Sequence, residues 1–242
     1  MSHARTDRQP YAPPSREPAI PATRGVVTLD LLPLDSGGVL APAVVAYEAW
    51  GALAPTRDNV LLLCHALTGN AHAHDPAAPD DPRAGWWNPL IGPGRVFDTT
   101  RYFVLCANVI GGCAGSSGPP SPAPCDGRPY GSRFPYVSVG DSARAQRRLL
   151  DRLGVRRIHT VAGGSVGGLV ALEIAIAYPD LVDRAVIVAA GTRLSARGVA
   201  LNEIGRRAIT ADARWRGGAY APGAGPAEGL AIARMVAMLS YT

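Results

Sequence analysis

The chain has 242 residues, enough for one large domain or two small ones with a sizeable core. Hydrophobic residues make up 47% and charged residues 18%, a globular balance that excludes a disordered or fibrous chain. The net charge of +5 comes with 24 arginines and no lysine, a compositional habit, and no basic run is dense enough to form a nucleic-acid groove. At most it favours small anionic partners, such as a phosphate-bearing molecule. No apolar stretch reaches the roughly 20 residues that a membrane span requires.

In chain order, residues 1–24 carry four arginines, five prolines and no apolar centre. That composition is not a secretory signal and reads as a disordered leader. Val26 to Leu34 and Val44 to Trp50 are strand-like, and Asp35-Ser36-Gly37-Gly38 between them predicts an antiparallel hairpin. Residues 59–64 (NVLLLC) and 102–106 (YFVLC) are short continuous apolar runs, which predicts strands buried on both faces. Asp141 to Leu153 reads as a helix capped by Asp141 or Ser142 and ended by Gly154, with Leu149, Leu150 and Leu153 inward.

A strand over Ile158 to Ala162, a helix from about Leu169 to Tyr178 and a further buried strand over Ala185 to Ala190 follow. Strands alternating with helices of this length imply an α/β fold with a mostly parallel sheet. From Gly191 the text changes to helical pieces at 201–210 and 228–241, joined by a Gly/Pro/Ala loop at 217–227. This divides the chain into a leader at 1–24, a core at 25–190 and the start of a helical excursion at 191–242. The four cysteines lack C-x-x-C spacing, which suits reduced thiols better than a disulfide framework.

The chemistry concentrates at Gly163-x-Ser165-x-Gly167, between a predicted strand and a predicted helix. In that context the pattern forms a sharp turn that lifts a nucleophilic hydroxyl above the sheet. The backbone N–H of Val166 then contributes to an oxyanion hole. The bland alternative is a glycine-rich turn that binds phosphate. His65-Ala66-Leu67-Thr68-Gly69 follows the 59–64 strand, where an α/β-hydrolase sheet supplies its second oxyanion donor, here the N–H of Leu67. His65 precedes the serine and so does not fit the Ser–acid–His order as the base; it reads as a structural ring. His72 and His74 read as polar loop residues, and no metal site is expected.

Longer strings point further. They are Tyr47-Glu48-Ala49-Trp50-Gly51, His65 to Gly69, Gly85-Trp86-Trp87-Asn88, Ile91-Gly92-Pro93-Gly94, residues 108–119 (NVIGGCAGSSGP), the elbow 163–168, and Gly229-Leu230-x-x-Ala233-Arg234. Together they resemble the homoserine O-acetyltransferase family of the α/β-hydrolase superfamily, over residues 25–242. The elbow departs from the family in carrying Val166 where methionine is usual, at a position that acts through its N–H.

The resemblance implies an α/β-hydrolase core with a helical lid beginning near 191. It implies that Ser165 takes an acetyl group from acetyl-CoA and passes it to the hydroxyl of homoserine, in methionine biosynthesis. Such ping-pong catalysis splits one difficult transfer into two easier ones. It further implies a cytoplasmic homodimer with no bound cofactor, acetyl-CoA serving as co-substrate. Arg234 and Tyr241 lie seven residues apart on the last predicted helix and correspond to family residues that hold homoserine, the arginine by its carboxylate. Arg206 reads as a solvated or structural charge.

The family places its acid and histidine after the lid, and no histidine follows His159 here. The expectation is an incomplete family sequence. Other acyl transfers on the same frame (homoserine succinylation, serine acylation, ester hydrolysis) stay open, as does a catalytically impaired protein.

Overall fold

The computed structural model describes residues 22–240, apart from 79, 82 and 222. Six strands form one sheet in the order β1-β4-β6-β5-β7-β8: Thr23–Leu29 (β1), Ala43–Trp50 (β4), Val60–Cys64 (β5), Phe103–Ala107 (β6), Ile158–Gly164 (β7) and Ala185–Val188 (β8). A separate two-stranded ribbon joins Leu32–Pro33 (β2) to Val39–Leu40 (β3). β4 runs antiparallel to both β1 and β6, whereas β6, β5, β7 and β8 are mutually parallel.

The alternation of side chains along each strand builds two core layers. Val45, Leu62, Cys64, Leu105 and Val161 face one side, under helices α1 (Val139–Arg152) and α2 (Val166–Ala177). Trp50, Leu61, Leu63, Val104 and Cys106 face the other. There the long loops between β5 and β6 cover them with Ala71, Ala73, Ile91, Trp86, Trp87 and Phe97. β5 and β6 are central strands with helices or loops on both faces, which is why their sequences are continuously apolar rather than alternating.

Several boundaries differ from the sequence reading. Leader residues 1–21 lie outside the described residues, and Thr23 and Arg24 already belong to β1. The first strand-like run is two strands: β1 pairs with β4, and only β2 and β3 flank the predicted hairpin. α1 starts earlier than predicted because Ser138 is its cap. The Ser138 hydroxyl accepts the Asp141 N–H, and the Asp141 carboxylate accepts the Ser138 N–H. Asp141 is therefore the reciprocal member of a capping box rather than the cap itself.

The expected buried strand at 185–190 is shorter and more open. β8 pairs only with β7; Ile187 packs toward the α2 side, while Val186 and Val188 are about half exposed. Among the described residues only one face of β8 is covered, so alternate side chains stay open. Beyond it, α3 (Ala196–Ala211) and α4 (Ala227–Ser240) form a helical hairpin. Their axes approach closely because Gly229 lies against the Ala208 carbonyl and Gly205 against Ala233. The Asp212 carboxylate accepts the N–H groups of Glu228 and Gly229 and so fixes the start of α4. Among the described residues, no helix is long and apolar enough to cross a membrane.

Candidate active site

Ser165 stands between β7 and α2 with φ 55° and ψ −123°, a backbone conformation that non-glycine residues rarely occupy. Such strain costs on the order of 1–3 kcal/mol and persists only where the surroundings over-determine it. They do so here: the Ser165 N–H donates to the Val188 carbonyl at 3.0 Å, and its own carbonyl accepts from Leu169 at 3.1 Å. The flanking glycines answer to close backbone approach. A Cβ at Gly163 would lie 2.2 Å from the Gly167 oxygen, and one at Gly167 would lie 2.0 Å from the Cys64 oxygen. The second contact presses the first turn of α2 against the end of β5, which places the His65–Gly69 loop beside the elbow.

Ser165 is exposed, and its hydroxyl has no hydrogen-bond partner among the described residues. The N–H of Val166, in the first turn of α2, and the N–H of Leu67 likewise meet no acceptor among them. Leu67 sits in a tight turn closed by the Gly69 N–H donating to the Ala66 carbonyl at 2.9 Å. One side-chain hydroxyl and two unused backbone donors from adjoining loops are what an acyl-transfer centre requires of its nucleophile and oxyanion hole.

The histidines divide clearly. His65 is buried; its Nδ1 lies 2.8 Å from the Ala66 carbonyl, and the Val109 N–H donates to its Nε2 at 3.2 Å. That pattern assigns a neutral ring protonated at Nδ1, with both nitrogens occupied. Burial pushes its pKa down and keeps the ring neutral, and with both nitrogens engaged it has no free lone pair to offer the serine. His72 pairs with Glu48 at 2.9 Å, and Glu48 also receives Arg24.

His74 lies in a loop, as expected. It is buried and bonded to Asn88, because the 70–97 loop folds down onto the sheet and takes the ring with it. No cluster of three potential metal ligands occurs among the described residues. His159 stacks on Tyr102 near the start of β7, six residues before Ser165 and so about 20 Å from it at the rise of a strand.

The cysteines are free. Burial pushes the Cys64 thiol up to about 12, offset in part by its hydrogen bond to Gln146, and pushes Cys106 well up; Cys113 and Cys125 are exposed. Arg234 is exposed on α4, and no hydrogen bond or ion pair among the described residues joins it to the elbow. Tyr241 lies outside the described residues. Arg206 pairs with Glu203 on its own helix. Asn108 had no role in the sequence reading, although it stands in one of the diagnostic strings. It is buried at the end of β6 and bonds to the loop beyond Leu67.

A strained serine at a strand–turn–helix of a mostly parallel sheet is the backbone geometry of a nucleophile elbow in an α/β-hydrolase fold. The chain belongs to the family described as alpha/beta hydrolase fold, which its residues 59–242 match. Two curated relatives are named homoserine O-acetyltransferase. That of Solidesulfovibrio magneticus is 50% identical over 210 residues, covering 87% of this chain and 53% of its own. That of Carboxydothermus hydrogenoformans is 46% identical over 215 residues, covering 89% and 57%. The chain thus spans a little over half the length of these relatives.

Solved structures agree. Homoserine O-acetyltransferase from Bacillus anthracis superposes with a TM-score of 0.84 at 31% identity, over 90% of this chain and 60% of that one. An enzyme described as esterase E22 gives 0.80 at 32% identity, over 90% and 61%.

Proposed function

We propose that the protein transfers an acetyl group from acetyl-CoA to the hydroxyl of L-homoserine through an acyl-serine at Ser165. The observation that carries this reading is the strained Ser165, followed by the unused N–H of Val166, with the unused N–H of Leu67 in the loop that begins against the same turn of α2. The names of the relatives support the acetyl group and the homoserine acceptor. In the first half-reaction the Ser165 oxygen attacks the thioester carbonyl, the oxyanion is held by the two amides, and the CoA thiol leaves with the serine's proton. In the second, the homoserine hydroxyl attacks the acyl carbon and Ser165 is released.

Both steps need a general base at the serine. Among the described residues no imidazole or carboxylate bonds to the Ser165 hydroxyl. Arg234 is proposed to grip the homoserine carboxylate, and Tyr241 to line the same pocket, with the α3–α4 hairpin acting as a lid that keeps water from the acyl-enzyme. We propose a cytoplasmic homodimer that uses no bound cofactor. Val199, Leu230, Met235 and Met238, exposed on the hairpin, supply apolar surface for its interface.

Mass spectrometry of the full-length protein mixed with acetyl-CoA is the test. A 42-Da adduct on Ser165, discharged on adding homoserine, is expected; an adduct on another residue overturns the reading. A second reading, ester hydrolysis, is favoured by the likeness to esterase E22. It predicts that the same adduct decays to acetate at one rate with and without homoserine.

A further inference from the structure

We infer that Asn108 and His65 form a clamp that fixes the loop carrying the Leu67 N–H, whose start packs on the first turn of α2 next to Ser165, making both positioning residues for the acyl transfer proposed above, on which this inference rests. The Leu67 side chain is 76% exposed. Packing therefore does not orient this residue, and the direction of its amide is set by how the two ends of its loop are tied.

Both ends are tied to the same dipeptide. At the start, the His65 ring accepts the Val109 N–H at 3.2 Å while its Nδ1 engages the Ala66 carbonyl at 2.8 Å. At the far end, the Ala71 N–H donates to the Asn108 Oδ1 at 2.6 Å. Residues 66–70 are thus closed as a short loop over residues 108–109, with one internal bond from Gly69 to Ala66.

Within the dipeptide, Asn108 is itself held by three hydrogen bonds. The Asn108 N–H donates to the Ala46 carbonyl at 2.9 Å, its Nδ2 donates to Ala114, and its carbonyl accepts the Ser116 hydroxyl at 2.8 Å. The Ser116 and Ser117 hydroxyls in turn accept the N–H groups of Ala46 and Val44 on β4. The chain of bonds runs from the antiparallel part of the sheet to the loop beside the nucleophile. An asparagine suits this place because it offers an acceptor and a donor together; leucine has the shape and neither.

The experiment uses the full-length protein, with Asn108→Leu, His65→Leu and the conservative His65→Gln, whose amide oxygen can still accept the Val109 N–H. Three quantities are measured: amide exchange across residues 66–70, the pre-steady-state rate of Ser165 acylation by acetyl-CoA, and the melting temperature. The two leucine variants are expected to exchange at least tenfold faster in that loop. They should acylate about 10²–10³-fold more slowly, the loss typical of removing one oxyanion donor, with KM for acetyl-CoA little changed. His65→Gln should recover most of the rate.

Unchanged exchange overturns the clamp. Faster exchange with a wild-type acylation rate overturns its positioning role, as does a rate that falls only in proportion to the folded fraction. If the wild-type protein forms no acyl-Ser165, the acyl-transfer reading fails, and the exchange data alone decide whether the clamp exists.

Discussion

Replacing Gly167 with alanine puts a methyl group 2.0 Å from the Cys64 carbonyl oxygen, 2.6 Å from its carbon and 2.7 Å from the His65 oxygen. All three are backbone atoms of β5 or the residue after it, so no side-chain rotation relieves the clash. A tolerable contact begins near 3.0 Å, and the first turn of α2 must therefore move from the end of β5 by about 1 Å. Overpacking of this kind costs about 3 kcal/mol where the opposing atoms are fixed in a sheet. For a domain of this size that lowers Tm by roughly 6–12 °C.

Gly163→Ala meets the Gly167 oxygen at 2.2 Å and should behave alike. Gly164→Ala is the control: its nearest neighbour is the Val188 oxygen at 3.8 Å, and the change should stay within about 0.5 kcal/mol. Thermal melts followed by circular dichroism separate the three. Because the same displacement moves the Leu67 loop from Ser165, Gly167→Ala should also slow acylation by about 10²-fold. A Gly164→Ala variant as unstable as Gly163→Ala, or a Gly167→Ala variant that melts within 2 °C of wild type (under about 1 kcal/mol), refutes the reasoning.

Ser165→Gly relieves the positive φ and should raise stability by about 1 kcal/mol while abolishing the acyl adduct; urea denaturation measures the first and mass spectrometry the second. Asp141→Ala removes a fully buried carboxylate that accepts from Asp35, Ser138 and Arg144, and should cost about 3–5 kcal/mol in the same denaturation experiment. Burial holds the His65 ring below its ordinary pKa of 6.5, so the unfolded chain takes up that proton first. Stability is then whole above about pH 6.5 and falls as pH drops below it, by at most about 1.4 kcal/mol per unit for this ring, as urea midpoints across pH 7.5–5 will report. Arg234→Lys keeps the charge and loses the bidentate fork; homoserine kcat/KM should fall by roughly one to two decades while the acylation burst is unchanged.

The elbow was legible in the sequence because two physical demands leave a local mark. A serine at positive φ and a helix turn packed on strand backbone both exclude Cβ atoms, and the glycines at 163 and 167 record that. The doubly buried strands β5 and β6 were legible for a similar reason, since burial on both faces removes every polar position. β8 has a similar composition, yet the sheet face carrying Val186 and Val188 stays half open among the described residues, and which faces are covered is decided by tertiary packing, which no local string contains. The start of α1 turned on whether Ser138, Asp141 or Ser142 caps it. Tertiary contact decided that: Asp141 receives the Asp35 N–H from 106 residues away and so serves the box instead of the cap.

His65 shows the division most sharply. Sequence order excluded it as the base, but only the arrival of Val109 at its Nε2 and of Asn108 at Ala71 gives the ring its work. Those partners lie 44 and 37 residues apart along the chain. Hydrogen bonds across such separations are set by where the strands place their loop ends, so the sequence names the candidates and the fold determines which of them meet.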